Sequence, residues 1–179
     1  AEGKVANKAA IETALRLVDY RKLEVSPSQI RLPVKGMAIT LNGIAQGYIT
    51  DRIADLMHNS GLDRVLVQMG EIHGRAPNNQ PWRIGLDGLS DQVSLTTGAV
   101  ATSSGSGTKF SNTANHLINP SNGTSPGHYN SVSIIAARAM TADAISTAIY
   151  TAAKSLSAEI SSASGIQGFV LEHADGRIE

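Results

Sequence analysis

The sequence contains no cysteine, so thiolate nucleophiles, disulfides and cysteine-ligated zinc are excluded from its chemistry. Aromatic residues make up only 4% of the chain, which argues against a surface on which nucleic-acid bases stack. Fifteen Lys and Arg residues balance fifteen Asp and Glu residues, so no net field attracts nucleic acid or anionic lipid. No apolar run approaches the roughly 20 residues that span a bilayer. We therefore expect a globular chain that binds no nucleic acid and contains no transmembrane segment.

The length and the apolar content suffice for one domain. The chain has 179 residues, 41% of them hydrophobic, and we expect residues 1–179 to form a single domain with a sizeable core. Apolar residues at helical spacing predict helices over residues 5–18, from Ile44 to the Gly61 cap, over 141 to about 155 and, more weakly, near 157–163.

Short β-branched runs separated by Gly, Asn or Pro predict the strands. These runs lie near residues 23–25, 29–32, 36–43, 64–70, 82–86, 92–98, 99–104, 130–137 and 168–173. A buried strand over 36–43, the helix after it and the strand over 64–70 suggest a local crossover unit. The whole pattern predicts an α+β fold with a mixed, mainly antiparallel sheet and packed helices.

The stretch TLNGIAQGYITDR places two glycines, Gly43 and Gly47, directly before and at the start of a helix. The free amides of a helix start and the helix dipole suit an anion such as a phosphate. The same two glycines would also serve close packing of the helix against a strand. The residues alone leave both interpretations open.

The stretch MTADAIST offers a pair of hard oxygen ligands. Thr141 is expected to cap a helix, which would place Asp143 in its first turn. Asp143 and Thr147 are four residues apart and therefore emerge on one helix face. Mg²⁺ prefers such oxygens and commonly takes its other ligands from substrate phosphates. An acidic residue near a helix start also stabilises the helix without any metal, so this alternative stays open.

A histidine precedes a turn in the stretch NHLINPSNG. His116 is a candidate general base, because an unperturbed imidazole titrates near neutral pH. The other four histidines have no metal-ligand spacing. Gly70 and Glu71 end the strand over 64–70 in a glycine turn or bulge.

Four stretches in register resemble one family. They are LNGIAQGYITDRIADLM, VLVQMGEIHG with PWRIGL, TTGAVATS with HLINPSNG, and MTADAISTAIY. Together they resemble the ApbE-type FAD:protein FMN transferases, as a divergent subfamily. The resemblance implies a T-fold-related architecture. It also implies Mg²⁺-dependent transfer of FMN from FAD to a Thr or Ser hydroxyl of a target redox protein, with release of AMP.

The resemblance assigns roles to individual residues. Asp143 and Thr147 match the family's metal ligands, with the backbone carbonyl of Gly43 as a third. His116 matches the histidine of the family's H-x-I-D-P segment and would be the base for the acceptor hydroxyl. The positions expected to contact FAD are Thr40, Asn42, Gln46 and Ile118.

The sequence also departs from the family's commonest text. Thr40 stands where an Asp is usual, Gln46 where a Lys is usual, and Glu71 and Asn119 where an Asp is usual. The family's N-terminal portion, which contacts the flavin, has no counterpart, so the chain resembles the C-terminal catalytic portion. The resemblance implies the bacterial periplasm or cell envelope. Two alternatives remain: a Mg²⁺-dependent FAD pyrophosphatase giving FMN and AMP, and a non-catalytic flavin-binding or assembly factor.

Overall fold

The structure, a computed structural model, describes residues 7–77, 80–86, 92–152, 155, 159–160, 162 and 165–179. In chain order its elements are α1 (Lys8–Leu15), a short 3-10 helix (Tyr20–Lys22), β1 (Glu24–Val25), β2 (Ile30–Arg31), α2 (Ala45–Asn59), β3 (Val65–Gln68), β4 (Ile72–Arg75), β5 (Trp82–Gly85), β6 (Gln92–Leu95), β7 (Thr97–Ser104), β8 (Tyr129–Ala136), α3 (Ala139–Thr151) and β9 (Ile166–His173). The weak helix expected near 157–163 lies largely outside the described residues.

Five strands form one antiparallel sheet in the order β3-β4-β7-β8-β9. Two further antiparallel pairs, β1–β2 and β5–β6, accompany it. The predicted α+β fold with a mainly antiparallel sheet is confirmed. None of the described helices is long and apolar enough to cross a membrane.

The buried strand expected over residues 36–43 is wrong. This segment has no strand structure, and Ile39 and Leu41 are 51% and 58% exposed. Within it, the Leu41 carbonyl accepts the amides of Ile44 and Ala45 at 3.0 and 2.8 Å, so Leu41 starts the turn into α2. Because this carbonyl accepts hydrogen bonds within the turn, it does not accept one from a neighbouring strand. The crossover unit that depended on this strand is therefore wrong as well.

The two faces of the sheet bury two different clusters. On one face, Ala101, Val132 and Ile134 pack against Ile149 and Tyr150 of α3. On the other face, the β5–β6 hairpin covers Val100, because successive residues of β7 point to opposite sides. Helix α3 and the hairpin thus cover opposite faces of the sheet, and α3 packs over β7 and β8.

Helix α2 buries an unusual face. The expected helix and its glycine cap are confirmed, with Gly61 at φ +87°. Its buried residues are Gly47, Thr50, Asp51 and Ala54, while the larger Tyr48 is 53% exposed. A Cβ on Gly47 would collide with the carbonyl group of Ala139, the first residue of α3. Small residues therefore let α2 lie backbone-close to α3.

Helix α1 is shorter than expected. It begins after Asn7, whose side chain accepts the amide of Ala10 at 2.9 Å, and it ends at Leu15 instead of residue 18. None of its residues is buried. The apolar periodicity therefore extended beyond the part of the segment that forms helix.

Candidate active site

The first turn of α2 meets α3 at Asp143. This carboxyl group is 4% exposed, and its Oδ2 accepts the backbone amide of Gly47 at 2.9 Å. One helical turn further along α3, Thr147 lies against Gly43, where an added Cβ would come within 2.9 Å of the Thr147 Cγ2. The structure therefore brings Asp143 and Thr147 to the glycine segment, as the sequence suggested.

Thr141 is not the cap of α3, so that expectation is wrong. The helix begins two residues earlier, after Arg138. Asp51 of α2 accepts the free amides of Ala139 and Met140 at 2.8 and 3.0 Å. Because this cap comes from a distant part of the chain, Thr141 is not needed as a local one. Asp143 is consequently the fifth residue of α3 and lies beyond its first turn.

One cleft of about 710 Å³ is lined by all eight residues singled out from the sequence. A pocket of this size is typical of sites for small molecules and cofactors. The eight residues are Thr40, Asn42, Gly43, Gln46, His116, Ile118, Asp143 and Thr147. They come from the α2 entry, the loop after β7 and α3, which meet only in the folded chain.

A second cavity of about 720 Å³ adjoins the cleft and shares Thr102, Ser104 and Ser106 with it. None of the eight predicted residues lines this second cavity. Because the buried carboxyl groups lie in the first cleft, we assign the chemistry there.

Glu71 is a site residue that the sequence analysis noted only at a turn and as a departure from the family, without assigning it to the site. It lies at the turn between β3 and β4, is 7% exposed and also lines the cleft. Burial, and then repulsion from Asp143, raises the pKa of Glu71 to about 7. Its position after Gly70 was visible in the sequence, but a glycine turn alone did not indicate a buried acid.

The cleft is acidic. Burial also raises the pKa of Asp143, although the Gly47 amide opposes that rise. Among the described residues that line the cleft, none is a Lys or an Arg, so Glu71 and Asp143 set its charge. Two acids in one buried space repel each other, and a bound cation would relieve that repulsion.

Ser103 is a second residue that sequence reasoning missed. It is 8% exposed on β7, and its hydroxyl lies 2.9 Å from the Ser146 hydroxyl and 3.2 Å from the Thr147 hydroxyl. It therefore orients the side chain of Thr147. No local sequence pattern indicated it, because its partners are more than 40 residues away.

His116 is exposed at the edge of the cleft. Its amide donates to the Thr108 carbonyl at 3.0 Å, and its Nδ1 lies 3.3 Å from the same oxygen. Asn119 orders the following turn, with its Oδ1 accepting the Ser121 amide at 2.8 Å. The loop is thus held by its own polar groups, with the imidazole on the cleft side.

The chain is similar to known proteins of one family. The profile of the ApbE family matches residues 1–169. The FAD:protein FMN transferase of Treponema pallidum (strain Nichols) is 28% identical over 176 residues, covering 82% of this chain and 48% of that protein. This chain therefore spans about half the length of that curated relative.

Two solved structures share the fold. The crystal structure of the ApbE protein from Thermotoga maritima MSB8 matches with a TM-score of 0.87 and 28% identity, covering 98% of this chain and 62% of that one. The flavin transferase ApbE from Vibrio cholerae matches with a TM-score of 0.80 and 21% identity, covering 98% and 60%, which supports the fold alone. With the profile match over nearly its whole length, this chain belongs to the ApbE family.

Proposed function

We propose that this chain binds FAD in the cleft and transfers its FMN moiety to a Thr or Ser hydroxyl of an acceptor protein, releasing AMP. The observation that carries the proposal is the contact of Asp143 with Gly47 and of Thr147 with Gly43 in a cleft that every other predicted residue also lines. The name of the Treponema relative, FAD:protein FMN transferase, supports the same reaction.

We assign Mg²⁺ to the Asp143 end of the cleft. The Asp143 carboxylate, the Thr147 hydroxyl and the Gly43 carbonyl are hard oxygen donors, and Asp143 Oδ1 is left for the cation because Gly47 donates to Oδ2. Among the described residues no three His, Asp or Glu side chains converge on one point, which suits an ion that shares its ligands with phosphate. When bound, Mg²⁺ would neutralise pyrophosphate charge and polarise the phosphoryl oxygens.

The protein's own groups would orient FAD and handle the proton. Thr40, Asn42 and Gln46 bring hydrogen-bonding side chains to the cleft at the start of α2, and Ile118 offers an apolar contact. Because Nδ1 of His116 faces the Thr108 carbonyl, we place its proton there, which leaves Nε2 free as the base.

The proposed step is an in-line displacement at phosphorus. The acceptor oxygen forms a bond to the FMN phosphorus while the bond from that phosphorus to the bridging oxygen breaks. AMP leaves with the electron pair, and His116 Nε2 takes the hydroxyl proton.

The test is incubation of the chain with FAD and a peptide containing one Thr, with Mg²⁺ and with a chelator. We expect Mg²⁺-dependent attachment of one FMN per peptide, detected by mass, and an equal amount of AMP. A matched peptide with Val in place of Thr should remain unmodified. FMN and AMP released without attachment would identify a pyrophosphatase, and stable FAD binding without turnover would identify a binding factor. Absence of both binding and products would contradict the proposal.

We also propose the bacterial periplasm or cell envelope as the location and a single domain for residues 1–179. Family resemblance supports the first, and the pairing of the last strand, β9, in the same sheet as β3 supports the second. Fractionation of cells and limited proteolysis would test the two proposals separately.

A further inference from the structure

Asp51 is a buried acid on α2 that the proposed chemistry does not use. It is 2% exposed, and its two oxygens accept separate amides at the start of α3: Oδ1 that of Ala139 and Oδ2 that of Met140. The residue that precedes α3, Arg138, makes no side-chain capping hydrogen bond. The start of α3 is therefore capped by another helix.

Two more donors hold the Asp51 carboxylate. His73 of β4 places its Nδ1 2.6 Å from Oδ1, and the Arg138 Nε lies 3.2 Å from Oδ2. The His73 side chain is nearly as buried as that of Asp51. Donors from a strand, a helix start and the residue before that helix thus converge on one carboxylate, which leaves it little freedom to move.

The capped end of α3 is one helical turn from Asp143 and two turns from Thr147, the α3 residues assigned to the cation. Along α2, Asp51 follows Gly47 by four residues, and along α3, Asp143 follows Ala139 by four. The two helices are therefore joined at two neighbouring points, by Asp51 to the α3 start and by the Gly47 amide to Asp143. No side chain fits between Gly47 and Ala139 to space the helices apart.

We propose that Asp51 is a positioning residue: its carboxylate fixes α3 against α2 and thereby sets the placement of Asp143 and Thr147 relative to Gly43. This inference rests on the proposed function of that cleft. Metal ligands must hold their geometry to within about 0.5 Å, so a small displacement of α3 weakens cation binding even when the fold survives.

The test compares Asp51→Asn with Asp55→Asn. Asparagine keeps the size of Asp51, but it removes the negative charge at the start of α3. Its NH₂ group would also face groups that are themselves hydrogen-bond donors, so one of the present hydrogen bonds would be lost. Asp55 lies one turn further along α2 and accepts two hydrogen bonds from Arg138 at 2.8 Å, without touching the α3 amides. Both variants lose one acidic group beside the same arginine, so Asp55→Asn is a matched control.

Two readouts separate positioning from general stability. The first is Mn²⁺ affinity by calorimetry, below the unfolding temperature of each variant. The second is hydrogen exchange at the amides of Ala139 and Met140. We expect Asp51→Asn to weaken Mn²⁺ binding between about 10- and 100-fold, as loss of outer partners of metal ligands does, and to speed exchange at those amides. Asp55→Asn should leave Mn²⁺ affinity within about twofold of the parent value.

A folded Asp51→Asn protein that binds Mn²⁺ as tightly as Asp55→Asn would overturn the inference. If Asp51→Asn does not fold, Asp51→Ser takes its place, since a serine hydroxyl accepts one amide without adding a second donor group. Failure of both to fold, with Asp55→Asn folded, would show that Asp51 serves the fold as a whole and would also overturn the positioning role. If the parent chain binds neither Mn²⁺ nor FAD, the proposed function fails, and the exchange measurement still tests the Asp51 contact.

Discussion

Glu71 and Asp143 place two carboxyl groups in one buried space, and burial opposes the charged form of each. Burying two carboxyl groups together lowers the stability of the metal-free protein, and a bound cation restores it by offsetting their charge. The same residue pair therefore connects the stability of the chain to the metal that we assign to it.

Asp143→Asn should lower Mg²⁺-dependent FMN transfer more than about 100-fold, because several kcal/mol of charge stabilisation depend on the cation. In metal-free buffer the variant should unfold at the same or a higher temperature, because the buried charge is gone and the amide oxygen still accepts from Gly47. Asp175→Asn, at an exposed acid paired with Arg177, is the control for transfer and unfolding. Unchanged transfer in Asp143→Asn would remove the metal assignment.

Glu71 should make the stability of the metal-free chain depend on pH. Its pKa is 4.5 in the unfolded chain and about 7 when folded, so the folded state holds the proton more tightly. Its contribution is fully present below pH 4.5 and is lost as the pH rises through 7. Relative to Glu71→Gln, the parent should lose at most about 3 kcal/mol of unfolding free energy over that window, less what solvent screens.

Urea denaturation with a chelator at each pH measures this difference. Asp143 contributes a slope of its own to both proteins, so the difference between them reports Glu71 together with its repulsion from Asp143. Parallel curves for the parent and Glu71→Gln would contradict the assigned pKa.

At the scale of elements, the chain shows what local patterns can and cannot predict. Helices α2 and α3 and the strands of the main sheet followed from apolar spacing and turn residues. The start of α3 did not, because its capping oxygen belongs to Asp51, 88 residues earlier. The supposed strand over 36–43 failed for a related reason: apolar residues favour burial only where a partner is available.

The site divides in the same way. Asp143, Thr147 and the glycine segment could be singled out from the sequence, because their spacing or their match to the family's motifs marked them. Ser103 could not be predicted, and Glu71 was visible only as a residue of a turn, because the burial and the partners of both arise from folding.

The contact between α2 and α3 makes Gly47 a sharp test. An alanine inside a helix is usually more stable than glycine by about 0.5–1 kcal/mol. Here a Cβ would lie 2.7 Å from the Met140 Cα and nearer still to the Ala139 carbonyl, so Gly47→Ala should destabilise by about 1–3 kcal/mol. Gly85→Ala, where an added Cβ meets nothing within 4 Å, is the control. A gain in denaturant midpoint for Gly47→Ala would show that the helices are not in this contact.

For the whole molecule, the acidic cleft should make FAD binding and Mg²⁺ binding depend on each other. An anionic pyrophosphate entering beside two acids needs a counter-charge, so each ligand should strengthen the other. At 100-fold excess over Kd, FAD with Mg²⁺ should raise the unfolding temperature by about 5–10 °C, and FAD with a chelator by far less.

Thr147→Val keeps the side-chain shape while removing the hydroxyl ligand. It should therefore reduce the extent to which FAD and Mg²⁺ strengthen each other's binding. Thermal melts of both proteins with each ligand, and with both together, measure it. Equal stabilisation by FAD with and without Mg²⁺ would argue against a shared site.

The backbone contact between Gly47 and Ala139 also limits how far helices α2 and α3 can move relative to each other. The two helices touch there without intervening side chains, and such close packing resists displacement, so we expect this wall of the cleft to be rigid. The proposed acceptor protein is far bulkier than a nucleotide, so we expect the rearrangement that admits it to involve the largely exposed loop over residues 105–118, which carries His116. We therefore expect the wall assigned to the cation to be the more rigid of the two. The wall that carries His116 would be the one that moves when an acceptor protein enters or leaves.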